Sequence, residues 1–330
     1  MNRSADGERN GDMERTDGQP GRSATAPRRI PLAGWKQILA RVLRRVSRDN
    51  LGMVAASVAF YSLLALFPAI AALISIYGLL ANPSEVAQQF AAIHSVMPDE
   101  VYRLVDGQMR DLASHPAGTL GAGLAGAILL SVWSATRGTK ALIAALNIAY
   151  DEHETRGLLR LNALAFGMTL FLVVLGVVAV ALVVALPIAL DFVGLGSVTD
   201  TLVRWLRWPA LAALVLITLA VLYRYGPARR QARWQWVSWG SVFAVVLWLA
   251  ASGLFSLYVS EFGNYNATYG SVGAVIVLLM WLFISGFVVM LGAQVNAEME
   301  RQTGCDTTYQ GTQPRGERGA YVADHLPDED

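Results

Sequence analysis

Residues 272–295 read VGAVIVLLMWLFISGFVVMLGAQV, a run without a single charge. A stretch this long and apolar is a membrane helix, because about 20 helical residues rising 1.5 Å each cross the hydrocarbon of a bilayer. Five further stretches are similarly long, apolar and almost free of charge, at about residues 53–80, 119–149, 161–190, 208–223 and 237–258. Hydrocarbon offers no water to unpaired backbone groups, so each stretch must close its own hydrogen bonds as an α-helix. The sequence therefore predicts an all-α fold, a polytopic membrane protein with six transmembrane helices.

The composition agrees. Of 330 residues, 54% are hydrophobic and 15% charged, and the mean hydropathy is +0.42, the profile of an embedded chain rather than a soluble domain. The net charge of +1 hides a segregation of bases into an N-terminal arm, two short connections and the tail. Nearly all are Arg; Lys occurs only at Lys36 and Lys140. The single cysteine, Cys305, excludes an intramolecular disulfide. No cleavable signal peptide is expected, since the first apolar run starts about 50 residues in and lacks a small-residue cleavage pattern.

Residues 1–29 and 304–330 are polar and lack apolar periodicity, so both are expected to be disordered cytoplasmic tails around a membrane domain at 30–303. Residues 31–48 place Leu32, Trp35, Ile38, Leu39, Val42, Leu43 and Val46 on one helical face and Lys36, Arg41, Arg44, Arg45 and Arg48 on the rest. That pattern predicts an amphipathic helix lying on an anionic leaflet; its abutment to a span favours lipid over nucleic acid as its partner. Pro68 predicts a kink in the first span. The acid-rich segment at 82–116 predicts two short external helices broken at Pro98. The basic arm, Arg156, Arg160, the cluster at 224–233 and Arg301 lie on one side, with only Arg204 and Arg207 dissenting, so the positive-inside rule puts both termini in the cytoplasm.

Several segments resemble the YihY/virulence factor BrkB membrane family: AASVAFYSLLALFP at 55–68, WSATRG at 133–138, ALN at 145–147, LYRYGP at 222–227, YNATYGS at 265–271 and LGAQVNAE at 291–298. The similarity extends from about residue 49 to 301. It implies a bacterial inner-membrane protein with six helices and supplies no settled activity. The family once carried a ribonuclease label, regarded as a misassignment, and some members are associated with envelope lipid movement or serum resistance. Gln294 stands where many relatives carry an acidic residue.

Enzymatic motifs are absent from the residues themselves. His94, His115, His153 and His325 are scattered without metal-ligand spacing, and neither 118–121 nor 138–140 completes a Walker loop. The reading is of a non-enzyme with no cofactor, no nucleic-acid partner and membrane lipids as partners; association into a homo-oligomer stays open. Trp133, Arg137, Lys140, Ala144, Asn147 and Asp151 recur at helical spacing and line one face of the second span. Either Arg137 and Lys140 snorkel to cytoplasmic headgroups, or they, with Asn147, form an anionic substrate site. The corner at 261–270 offers Tyr265, Asn266 and Tyr269, either as a structural turn or as a cavity lining. Arg224, Arg229, Arg230 and Arg233 retain topology or bind lipid headgroups. Gln294 is expected to hydrogen-bond another helix and Glu298 to sit at the interface; Ala55, Ala59, Gly121, Ala125, Gly286 and Ala293 read as close-packing points. Three functions follow in order: transport or flipping of an amphipathic or anionic envelope molecule such as a lipid, a non-transporting scaffold working through its tails, and a ribonuclease.

Overall fold

In a computed structural model, which describes residues 20–80, 117–182, 197–261, 271–309 and 313–327, each apolar run is helical over its described residues. Helix α1 spans Leu32–Arg48, α2 Leu51–Leu80, α3 Ala117–Ala149, α4 Leu158–Val180, α5 Ser197–Tyr225, α6 Trp234–Glu261, α7 Ser271–Gln302 and the short α8 Tyr321–Asp324. Among the described residues there is no strand, only one isolated antiparallel bridge between Ala232 and Thr308. The external segment at 82–116 and the corner beyond Glu261, residues 262–270 with Tyr265, Asn266 and Tyr269, lie outside the described residues.

Among the described residues four helices are long and apolar enough to cross a membrane, at Leu158–Ala179, Trp205–Tyr225, Trp234–Ser260 and Val275–Gln302, and a fifth span is reached if α1 and the start of α2 are taken as one bent pair. Only 11 to 22% of each apolar window is buried inside the protein, so lipid has to cover the rest. The long helices close a ring: α2 packs on α3, α3 on α4, α4 on α5, α5 on α6, α6 on α7, and α7 back on α2. Helix α5 begins well before residue 208, with Pro209 inside it, because Arg204 and Arg207 disguised its first turns. Pro68 lies inside the continuous α2. A bend of 68° falls between α1 and the start of α2, where Asn50 takes a φ of 48°. Asn tolerates that left-handed conformation better than most side chains.

The best-buried part of the molecule is one end of the ring. Leu51, Leu146, Tyr150, Tyr223, Val237, Met290 and Ala297 form its core, and Ile38, Val42, Trp236, Val295 and Met299 seat α1 upon it. Residues 292–302 of α7 are all buried, although they include Glu298, Glu300 and Arg301. The interfacial placement expected for Glu298 is therefore corrected: it is fully buried, because α1 brings two guanidinium groups to it. Arg41 pairs with Glu298, and Arg45 lies 3.0 Å from its other oxygen. Arg45 also pairs with Asp151 at the end of α3, as does Arg301. Gln294 meets its expectation by donating to Asp49 Oδ2 at 2.7 Å, and it accepts from Arg45 at 3.4 Å. One face of α1 is thus spent on protein, while Leu32, Leu39 and Leu43 stay exposed.

The expectation of disorder after residue 304 is also corrected. Residues 304–309 and 313–327 fold against the same end, with Thr307, Thr308 and Val322 fully buried. Composition hid this because the segment is held by hydrogen bonds more than by apolar area. Arg318 donates to the carbonyls of Cys305 at 3.3 Å, Ala323 at 2.7 Å and Gly304 at 2.9 Å. Asp306 accepts from the backbone N–H of Thr308 at 2.9 Å and of Gln313 at 3.0 Å. Burial raises the Asp306 carboxyl, and these hydrogen bonds outweigh it, so the group stays ionised below its usual range. The N-terminal side is tied in as well: Thr303 Oγ1 donates to the Ala24 carbonyl at 2.7 Å, and Ala24 is buried.

Helices α6 and α7 approach so closely that only glycine fits at the crossing. A Cβ on Gly240 would lie 2.3 Å from the Gly292 carbonyl oxygen, and one on Gly292 would lie 2.4 Å from the Tyr223 hydroxyl. Ala55, Ala59 and Ala293 are buried as close-packing points should be. Gly286 faces the Ala55 carbonyl, 3.4 Å from an added Cβ. Gly240→Ala should therefore lower stability in detergent by about 1 to 3 kcal/mol, the usual cost of overpacking. Gly253→Ala, with nothing within 4 Å of the new methyl, should leave the melting temperature unchanged or raise it. Arg45→Ala should destabilise by about 3 to 5 kcal/mol, because it strands buried carboxylates without their partner. Arg44→Ala, on the exposed side of α1, should melt like the parent in the same thermal scan.

Candidate functional site: a basic groove and a basic cavity

The helical period of α3 puts Trp133, Arg137 and Lys140 on one face, and the fold opens a groove of about 1150 Å³ along it. Leu129, Leu130 and Val132 of α3 and Phe166 of α4 give it apolar walls, while Tyr61 of α2, Thr136 and Asn162 supply neutral polar groups. The Arg137 guanidinium lies 4.2 Å from the centre of the Trp133 ring, and Trp133 is 55% exposed. Stacking of this kind holds the charge against an apolar surface without neutralising it. No carboxylate pairs with Arg137 or Lys140 among the described residues.

Depth follows from a buried hydrogen bond beside the groove. Thr139 Oγ1 and Thr169 Oγ1 are 2.8 Å apart, which sets α3 in register with α4. Thr169 lies about 16 Å along α4 from Leu158 at 1.5 Å per residue, inside its apolar stretch. Arg137 and Lys140, on either side of Thr139, are thus level with the interior of a neighbouring apolar helix rather than with its Leu158 end.

The other half of the stripe belongs to the protein interior. Asn147 is buried; its amide donates to Glu154 at 3.0 Å, and its carbonyl oxygen accepts from the Ala228 N–H at 2.7 Å. Asp151 is held by Arg45 and Arg301. Asn147 therefore braces two connections and does not line the groove with Arg137 and Lys140. The period of a helix says which residues share a face, but not that the face passes from the ring's outer surface into its packed end.

At that end, the basic connection folds into a second cavity of about 610 Å³, lined by Arg156, Arg224, Arg229, Arg230 and Gly319 among others. Three of the four arginines singled out in the sequence meet there. Arg233 does not line it; its backbone N–H donates to the Thr307 carbonyl at 3.0 Å. Arg156 joins instead, donating to the Gly226 carbonyl at 2.8 Å and to Glu154 at 2.7 Å. Burial raises the Glu154 carboxyl, but its hydrogen bonds from Arg156 and Asn147 prevail and hold it below its ordinary range. Arg229 pairs with Glu300 at 2.7 Å, both side chains fully buried. Burial opposes its charge, and Glu300 more than restores it. Glu152, which accepts from the Tyr321 N–H at 2.7 Å, is raised by burial. Among the described residues no three His, Cys, Asp or Glu side chains are grouped to hold a metal ion.

Sequence reasoning missed Arg156, Tyr61, Asn162 and Phe166. Tyr61 and Phe166 carry no signal that separates a groove wall from ordinary packing, while Asn162 and Arg156 are polar at or beside the start of an apolar run, where topology alone explains them.

Comparison with known proteins places the chain. Residues 42–317 match the family model described as virulence factor BrkB, a wider stretch than the quoted segments cover. The chain is 32% identical over 251 residues to YfkH of Bacillus subtilis, named as a ribonuclease-like protein, covering 75% of this chain and 89% of that one. It is 26% identical over 282 residues to a UPF0761 membrane protein of Albidiferax ferrireducens, covering 82% of this chain and 64% of that protein, so it spans just under two thirds of that relative. A UPF0761 membrane protein of Tolumonas auensis is 27% identical over 278 residues, 82% of this chain and 88% of its own length. No solved structure matches. A family match over most of the chain, joined to apolar helices that need lipid cover, makes this a membrane protein of the virulence factor BrkB family.

Proposed function

We propose that the chain is a bacterial inner-membrane protein of six spanning helices, with its basic end and both termini in the cytoplasm, that moves an anionic amphiphile such as a lipid between leaflets. The observation that carries this is the groove holding Arg137 and Lys140 level with the apolar interior of α4, with no carboxylate among the described residues to neutralise them. A base at that depth costs about 2.5 to 3.5 kcal/mol on insertion scales, and such bases normally mark a pathway. Leu129, Leu130, Trp133 and Phe166 offer apolar surface to acyl chains, while the two bases and the Asn162 amide offer charge and hydrogen bonds to a headgroup. An amphiphile can thus keep its tails in hydrocarbon while its anionic head leaves water. The orientation rests on the clustering of the basic arm, the 224–233 connection and the tail at one end, since Arg230 N–H donates to the Gly319 carbonyl and Gly304 N–H to the Arg22 carbonyl.

The scaffold reading has less support, because the described part of the C-terminal tail is folded onto the bundle rather than free to recruit partners. The ribonuclease wording belongs to the name of a relative, and nothing in the groove's chemistry calls for it.

Reconstitution tests the proposal. Vesicles containing the chain should equilibrate a labelled anionic phospholipid between leaflets faster than empty vesicles and faster than they equilibrate a zwitterionic one. The double variant Arg137→Gln/Lys140→Gln, melting at the parent temperature, should lose about tenfold or more of that rate, the equivalent of about 1.4 kcal/mol. No protein-dependent movement of any labelled lipid or organic anion, or a double variant as fast as the parent, would overturn it.

A further inference from the structure

The cavity at the basic end is independent of the groove and has an unmet chemical demand. Arg224 is 4% exposed, and its guanidinium lies 4.5 Å from the Trp234 ring, 5.5 Å from Tyr309 and 5.6 Å from Tyr225. These three rings surround the guanidinium. Its Nε and Nη1 are buried without a hydrogen-bond partner, and so are Nε and Nη1 of Arg229. Buried donors are nearly always satisfied, and an unsatisfied one costs about 1 to 3 kcal/mol, more where it is charged.

Charge counting points the same way. Four guanidinium groups line the cavity. Glu154 neutralises Arg156 and Glu300 neutralises Arg229, while Glu152 is engaged by the Tyr321 N–H. Arg224 and Arg230 have no carboxylate partner among the described residues, and with the charge of Glu152 counted about one positive charge remains to be balanced. A planar guanidinium presents parallel N–H donors that match the oxygens of a phosphate.

We infer that this cavity is a binding site for a phosphate group, held by Arg224 with Arg230 completing the charge. The C-terminal tail forms one wall. Gly319 lines the cavity and its carbonyl accepts from the Arg230 N–H at 2.8 Å, while the preceding Arg318 clamps the tail to itself. Occupancy therefore stabilises the folded tail, because a ligand that binds only the closed arrangement shifts the equilibrium towards it. The phosphate belongs either to a lipid headgroup of the adjacent leaflet, reached past the partly exposed Tyr225 and Trp234, or to a soluble phosphate compound.

The full chain in nanodiscs of phosphatidylcholine alone, titrated with inorganic phosphate against chloride at matched ionic strength, separates these sources from one another. Parallel nanodiscs carry one fifth phosphatidylglycerol. The readouts are the melting temperature and the rate of protease cleavage within residues 304–327. Stabilisation with slowed tail cleavage by phosphate assigns the soluble source, and by phosphatidylglycerol alone the lipid source. Either supports the site if Arg224→Gln weakens the response at least tenfold. Should Arg224→Gln fail to fold, Arg230→Gln, whose side chain is exposed, should weaken the response severalfold, and Arg44→Gln should not. No response to either probe, or an equal response in the parent, Arg224→Gln and Arg230→Gln, overturns the inference.

Discussion

In hydrocarbon an unpaired backbone amide costs several kcal/mol, and the rest of this structure is arranged around that cost. It makes each apolar run a helix, and it lets those helices remain mostly uncovered by protein, since lipid supplies the contacts that a soluble core would have to provide. With 11 to 22% of each apolar window buried, apolar burial between helices is limited. Close backbone approach adds to it, where Gly240 meets Gly292 and Ala55 meets Gly286.

At the basic end the balance reverses. Water is within reach, yet residues 292–302 are buried with their charges, and the stabilising device is a set of ion pairs crossing between elements distant in sequence. Arg41 and Arg45 on α1 clasp Glu298 of α7, and Arg45 reaches on to Asp151. Replacing one partner strands the others, which makes the lock cooperative rather than additive. The bundle and its end thus follow different physics, and the two candidate sites fall on either side of the change. The groove is an apolar surface carrying isolated bases, whereas the cavity is a polar interior with more bases than acids.

Much of the fold was legible because membrane helices depend on local composition. Residues 237–258 and 272–295 declared themselves by length and apolarity; α6, Trp234–Glu261, extends a few residues beyond the first, and α7 continues past the second to Gln302. What the sequence concealed depended on partners. Glu298 at the end of an apolar run looks like an interfacial charge, and its burial emerges only when α1 is laid across it. A signal existed: Arg41 and Arg45 are four apart, as are Glu298 and Gln302, and Arg41 contacts both of the latter. The tail was concealed because its fold rests on Arg318 and Asp306 binding backbone groups, which composition does not register. Within the site, the period of α3 correctly gathered Trp133, Arg137 and Lys140, then carried Asn147 along with them although it turns inward.

The central claim is that two unneutralised bases stand inside the hydrocarbon to receive an anionic head. An experimental density map of the chain in nanodiscs containing phosphatidylglycerol tests it most directly. The account predicts phosphate-sized density between Arg137 and Lys140, with the headgroup plane about 16 Å away towards Leu158. A headgroup plane level with Arg137, or a groove filled by a helix of a neighbouring copy, would contradict it.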